Sequence, residues 1–144
     1  MSGTGKSAVV GELRRRGFTA YDADDHGFSE PRPHGGWGWR VDLIRDLFSS
    51  GEADPLFFAG CSDEQALIDF DLKVLLTAPE RLLVERLRTR QTNSYGQSPE
   101  EMDRVLSDLR TVEPLLRQTA DLIIETSVPV SEVADRVLTR ASAQ

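Results

Sequence analysis

Ser2-Gly3-Thr4-Gly5-Lys6-Ser7 is the stretch from which the rest of the chain is read. These residues fit the closing six positions of the phosphate-binding pattern G-x-x-x-x-G-K-[ST], the P-loop, and run directly into a helical stretch, Ala8 to Arg16. Gly3 and Gly5, with Thr4 between them, allow successive backbone N–H groups to turn inward as a nest around phosphate oxygens. Lys6 is expected to reach the β- and γ-phosphates, and Ser7 to place its hydroxyl on Mg²⁺. The helix that starts here points its positive end at the same anion. The chain has 15 Arg and only two Lys, Lys6 and Lys73, so a lysine at the motif position is not compositional background. The first glycine of the pattern falls one position before Met1. A native protein beginning roughly ten residues earlier is therefore expected, with that glycine and an apolar strand leading into the loop.

Working outward, 144 residues with 39% hydrophobic content suit one domain with a single core. There is no apolar run of membrane-spanning length and no basic-then-apolar leader, and one cysteine, Cys61, cannot form an internal disulfide. A reducing cytoplasm is the compartment these features suit. Cys61 itself reads as a small buried residue at a strand end. A formal charge of −7 argues against general nucleic-acid or anionic-membrane binding, while a nucleotide can still bind locally through the loop and a few arginines.

Beyond the first helix the pattern alternates strand and helix. Gly17 stops the helix, and Phe18 to Tyr21 reads as a short strand ending at Asp22. Residues 23 to 39 read as a loop rich in Gly, Pro, Asp and His. Arg40 to Ser49 carries apolar residues at helical spacing, Pro55 to Gly60 and Leu72 to Thr77 are apolar runs of buried strands, and Glu80 to Arg90 is helical. Ser98-Pro99-Glu100-Glu101 combines an N-cap, a first-turn proline and a capping-box glutamate, and starts a long helix that Pro114 is expected to kink. Asp121 to Glu125 gives the last strand and Ser131 to Ala141 the last helix. Such alternation predicts an α/β fold, a three-layer parallel sheet with helices on both faces and ligands at the carboxyl ends of the strands.

Phosphoryl transfer needs a cation near the β- and γ-phosphates and an acceptor held in line. Asp22 and Asp24 stand at a strand's carboxyl end, where one carboxylate can hold Mg²⁺ through water and the other can orient or deprotonate the acceptor. Asp25 is a third candidate, and a solvated acidic turn is the alternative. Arg40, after Trp37 and Trp39, is a candidate for an anionic group on the substrate, with the tryptophans as walls of the site or as covers of a sheet edge. His26 and His34 lie in the same loop without metal-ligand spacing.

Gly-Thr-Gly-Lys-Ser, the acidic cluster Tyr21-Asp22-Ala23-Asp24, the helix, polar loop and helix that follow, and the segment Pro114 to Asp121 together resemble the nucleotide and shikimate kinase branch of P-loop proteins, along the whole chain. The resemblance implies sheet order 2-3-1-4-5, with the central strand being the one that leads into the loop. It implies ATP and Mg²⁺ as cofactors and a lid around residues 88–98 whose arginines clamp the phosphates. Among Arg86, Arg88 and Arg90, the two nearest the loop, Arg88 and Arg90, are the preferred clamps; helix-dipole complementarity is the alternative. The turn Thr126 to Pro129 resembles the one that packs on adenine. Ala59-Gly60-Cys61 replaces the glycine triplet of the shikimate enzymes, and Arg110 is offset from their substrate-binding arginine, so the acceptor stays open. A nucleotide-binding protein without catalysis is the second reading; the lack of an Asn-Lys-x-Asp motif disfavours a switch GTPase.

Overall fold

The computed structural model describes residues 3–24, 27–91 and 94–143. They form two compact units: Lys6–Asp71, and the residues up to Gly5 together with those from Leu72 onward. Both are α/β, and each contains a small parallel sheet.

In the first unit the helix α1 (Lys6–Arg15) buries Val9, Val10 and Leu13. Spaced one and three residues apart, they form a single apolar stripe, and it packs on the strands β1 (Thr19–Asp22) and β4 (Leu56–Ala59). The helix ends in a Schellman pair, Phe18 N–H to Leu13 O and Gly17 N–H to Arg14 O, which satisfies two terminal carbonyls. β1 and β4 pair in parallel, Thr19 opposite Leu56 through Asp22 opposite Ala59. Between them lie an antiparallel hairpin, β2 (Ser29–Pro31) and β3 (Trp37–Trp39), and the helix α2 (Val41–Ser49). A 3-10 turn, Asp63–Leu67, follows β4. The core is aromatic: Ala23, Trp39, Ile44 and Ile68 are buried, and Phe28, Phe48, Phe58 and Phe70 pack around them. Phe58 meets Phe28, Trp39 and Phe48 edge-on, with centroids 5.3–6.2 Å apart.

The hairpin corrects the expectation that residues 23 to 39 form a loop. Pro33 to Gly36 make a tight turn closed by Arg32 N–H to Gly36 O at 2.9 Å, and the flanking residues pair as Ser29–Trp39 and Pro31–Trp37. Two tryptophans either side of a glycine, after a Gly-Gly turn, carried that signal beneath a loop-like composition.

In the second unit β5 (Val74–Thr77) pairs in parallel with β6 (Leu122–Glu125). The helix α3 (Glu80–Thr89) packs on α4 (Pro99–Thr111), with Leu83, Leu87 and Val105 buried beside Ala78. Ser98 caps α4, accepting the Glu101 N–H at 3.2 Å and meeting its carboxylate at 3.1 Å. Pro114 does more than kink a helix. It lies in the first turn of a separate helix α5 (Glu113–Thr119), α4 ending at Thr111. Proline has no N–H to continue the ladder and its ring crowds the preceding turn. The last helix, α6 (Val130–Ser142), buries Val133, Ala134 and Val137 and packs on β6.

The strands and helices therefore fall close to the expected places. The parallel neighbours are β1 with β4 and β5 with β6. Among the described residues no helix is long and apolar enough to cross a membrane. Cys61 is exposed, which corrects its reading as a buried strand-end residue. It lies two residues beyond the end of β4, a strand whose own residues are only half-buried.

Candidate functional site

In the first unit, two residues read separately as metal ligands come together. Ser7 lies in the first turn of α1 and Asp22 ends β1; the Ser7 hydroxyl donates to Asp22 Oδ2 at 2.8 Å. The packing of α1 on β1 brings residues 15 apart in sequence into contact. Asp22 is only 6% exposed, and its other oxygen accepts the Asp24 N–H at 3.0 Å. That bond is an Asx turn, the two-residue loop in which a carboxylate reaches the backbone ahead of it. It fixes the rotamer of Asp22 and turns the chain, while Asp24 stays exposed. Lys6, half-buried, is the first residue of α1.

The candidate acceptor residues are less organised. Arg40 sits at the N-terminal boundary of α2, exposed, with its Nε 4.0 Å from Glu30 Oε2. A pair so open to solvent contributes little. The tryptophans divide: Trp39 is buried against Phe58, whereas Trp37 is 71% exposed. His34 is exposed; Asp25 and His26 lie outside the described residues.

In the second unit Gly3, Thr4 and Gly5 are seated against α3 and against Thr126, the residue that follows β6. Gly3 and Gly5 have φ of 81° and 101°, the left-handed region that favours glycine. A Cβ on Gly3 would also come within 3.3 Å of Leu83 and Leu87. Thr4 is 2% exposed. The Thr126 hydroxyl lies 2.7 Å from the Thr4 carbonyl and 3.1 Å from the Thr77 carbonyl. Thr77 O also accepts the Thr126 N–H at 2.8 Å, and the single hydroxyl proton serves the nearer acceptor, Thr4 O. Arg86 Nη1 donates to Thr126 Oγ1 at 2.8 Å and to Gly3 O at 3.2 Å, and its Nη2 donates to the Thr126 carbonyl. Pro129, the other residue of the adenine-like turn, is exposed at the start of α6.

The three arginines of α3 and its end thus take different positions. Arg86 is the one built into the loop's surroundings, which sequence spacing did not single out; nothing in its spacing separates it from its neighbours. Arg88 is exposed and lines a cavity of about 290 Å³ with Gln97, Ser98, Pro99, Met102 and Asp103. Arg90 donates from Nη2 to the Tyr95 carbonyl, and Gln97 Nε2 returns a bond to Arg90 O at 2.8 Å. Burial pushes the Arg90 guanidinium below its ordinary range, against the opposing pull of the Glu101 carboxylate. The residue remains a cation at any working pH.

Comparison with protein-family models and with curated proteins returns no match.

Proposed function

We propose that this protein binds ATP with Mg²⁺ and transfers the γ-phosphoryl group to a small acceptor bearing a hydroxyl or a phosphate. The observation that carries the reading is the hydrogen bond from Ser7 to Asp22, 2.8 Å long. It joins the motif's serine to the carboxylate at the end of the next strand, the hard-oxygen pair that a magnesium ion takes when phosphates and water supply its other ligands. The positive-φ glycines support an anion nest in the same loop. Parallel pairing within each unit, β1 with β4 and β5 with β6, supports an α/β nucleotide-binding fold.

Bound magnesium would neutralise charge on the β- and γ-oxygens. Ser7 and Asp22 would hold it, with Asp22 kept in place by the Asp24 amide. Lys6 would place its ammonium on the β- and γ-oxygens, and Asp24, exposed beyond the strand end, would orient the acceptor hydroxyl or take its proton. A reducing cytoplasm is the proposed compartment, compatible with the exposed thiol of Cys61.

Calorimetric titration with MgATP tests the reading. Binding that disappears in Lys6→Ala supports it; no binding by the parent, or ATP-dependent product formation that survives Lys6→Ala, sinks it. ADP release across a panel of hydroxyl and phosphate acceptors then separates a kinase from a nucleotide-binding protein without catalysis.

A further inference from the structure

We infer that Arg86 and Thr126 are positioning residues that aim the loop's amide protons by holding its carbonyls, an inference that rests on the phosphate-binding reading above. In a planar trans peptide the C=O and the N–H point to opposite sides. The Gly3 carbonyl shares its plane with the Thr4 N–H, and the Thr4 carbonyl shares its plane with the Gly5 N–H. Arg86 takes the first carbonyl at 3.2 Å and Thr126 takes the second at 2.7 Å. Holding both carbonyls on the β6 and α3 side directs both N–H groups the other way, as consecutive donors. That is the arrangement of an anion nest.

The two residues act as one device. Arg86 reaches the Thr126 hydroxyl and the Thr126 carbonyl as well as Gly3 O, so three acceptors share one guanidinium. By occupying the hydroxyl's lone pair at 2.8 Å it also orients the hydroxyl proton toward Thr4 O. A lysine, with a compact head in place of a planar fork, serves fewer of these acceptors. The carbonyl side is dry, Thr4 and Thr126 being 2% and 4% exposed, so no bulk water replaces a lost bond. The ligand class this orients is a polyphosphate chain, independent of the base attached to it.

The test uses Thr126→Val, Thr126→Ser and Arg86→Lys, titrated calorimetrically with MgATP and with inorganic tripolyphosphate. Val keeps the shape of Thr and removes the hydroxyl; it is expected to weaken both probes about tenfold, and Ser is expected to recover most of that loss. Tripolyphosphate binding by T126V as tight as the parent's overturns the inference. If T126V does not fold, R86K reads the same device through Gly3, with a loss of the same sign. A parent that binds neither probe overturns the phosphate reading instead. The device is then read without ligand from the carbonyl ¹³C resonances: T126V is expected to shift that of Thr4, R86K that of Gly3. Unmoved resonances overturn the inference in that case.

Discussion

Asp22→Asn keeps the size and shape of the side chain and removes its charge and one of its two acceptor oxygens. In the parent, one carboxylate oxygen takes the Ser7 hydroxyl at 2.8 Å and the other takes the Asp24 N–H at 3.0 Å. Asparagine has one acceptor oxygen; with that oxygen on the Asp24 N–H, its NH₂ faces the Ser7 oxygen, which then accepts instead of donating. A charge-assisted bond becomes a neutral one at a site only 6% exposed, which costs about 1–1.5 kcal/mol. For a chain of this length that lowers the melting temperature by roughly 3–5 °C. Scanning calorimetry of the parent, S7A, D22N and the double variant closes a cycle. The structure expects Ser7 and Asp22 to couple by about 1 kcal/mol, since S7A removes and D22N weakens the same charge-assisted bond. Effects that add to within ~0.5 kcal/mol would refute the contact, and with it the proposed magnesium pair.

Three further outcomes follow from separate parts of the molecule. Leu83→Ala empties a fully buried position beside Leu87 and Val105 and should cost about 2–5 kcal/mol in urea unfolding; a loss under about 1 kcal/mol would contradict that packing. Gly5→Ala places a Cβ no closer than 3.7 Å to Thr126, so its cost comes from the backbone at φ 101°, about 1–2 kcal/mol by thermal melting. Hydrogen bonds from Arg15 and then Arg16 hold the Glu12 carboxyl at about 2, below its ordinary 4.5. Because the folded value is the lower one, this stabilisation is present above pH 4.5 and is lost as pH falls toward 2. Glu12→Gln should flatten stability against pH in that window, and an unchanged profile would refute the assignment.

The elements that were legible in the sequence are those whose signals are local. Ser98-Pro99 and Glu101 announce the start of α4 by cap chemistry, and Gly17 marks the end of α1. Ser7 and Asp22 were legible as chemistry, one from its motif and one from its strand end, although their contact needs the packing of α1 on β1. What the sequence hid is set by tertiary partners. The hairpin at Trp37–Trp39 was masked by glycine-rich composition. Arg86 is indistinguishable from Arg88 and Arg90 along the helix, and only the position of β6 selects it to bond Thr126 and Gly3. Nor does spacing tell that Arg90 is engaged with the Tyr95 backbone.

Trp37 and Trp39, two residues apart on β3, have opposite surroundings, one 71% exposed and the other 7%. The protein thus carries a pair of intrinsic fluorophores in different media on a single short strand. The outer indole emits into water and is open to collisional quenchers such as iodide, while the inner one emits from an aromatic shell with Phe58 at 5.3 Å. The difference between quenched and unquenched emission is therefore an optical readout of the hairpin alone. Trp37→Phe leaves Trp39 as the sole indole, and excitation at the red edge of indole absorption, where tyrosine does not absorb, isolates the signal of the aromatic core.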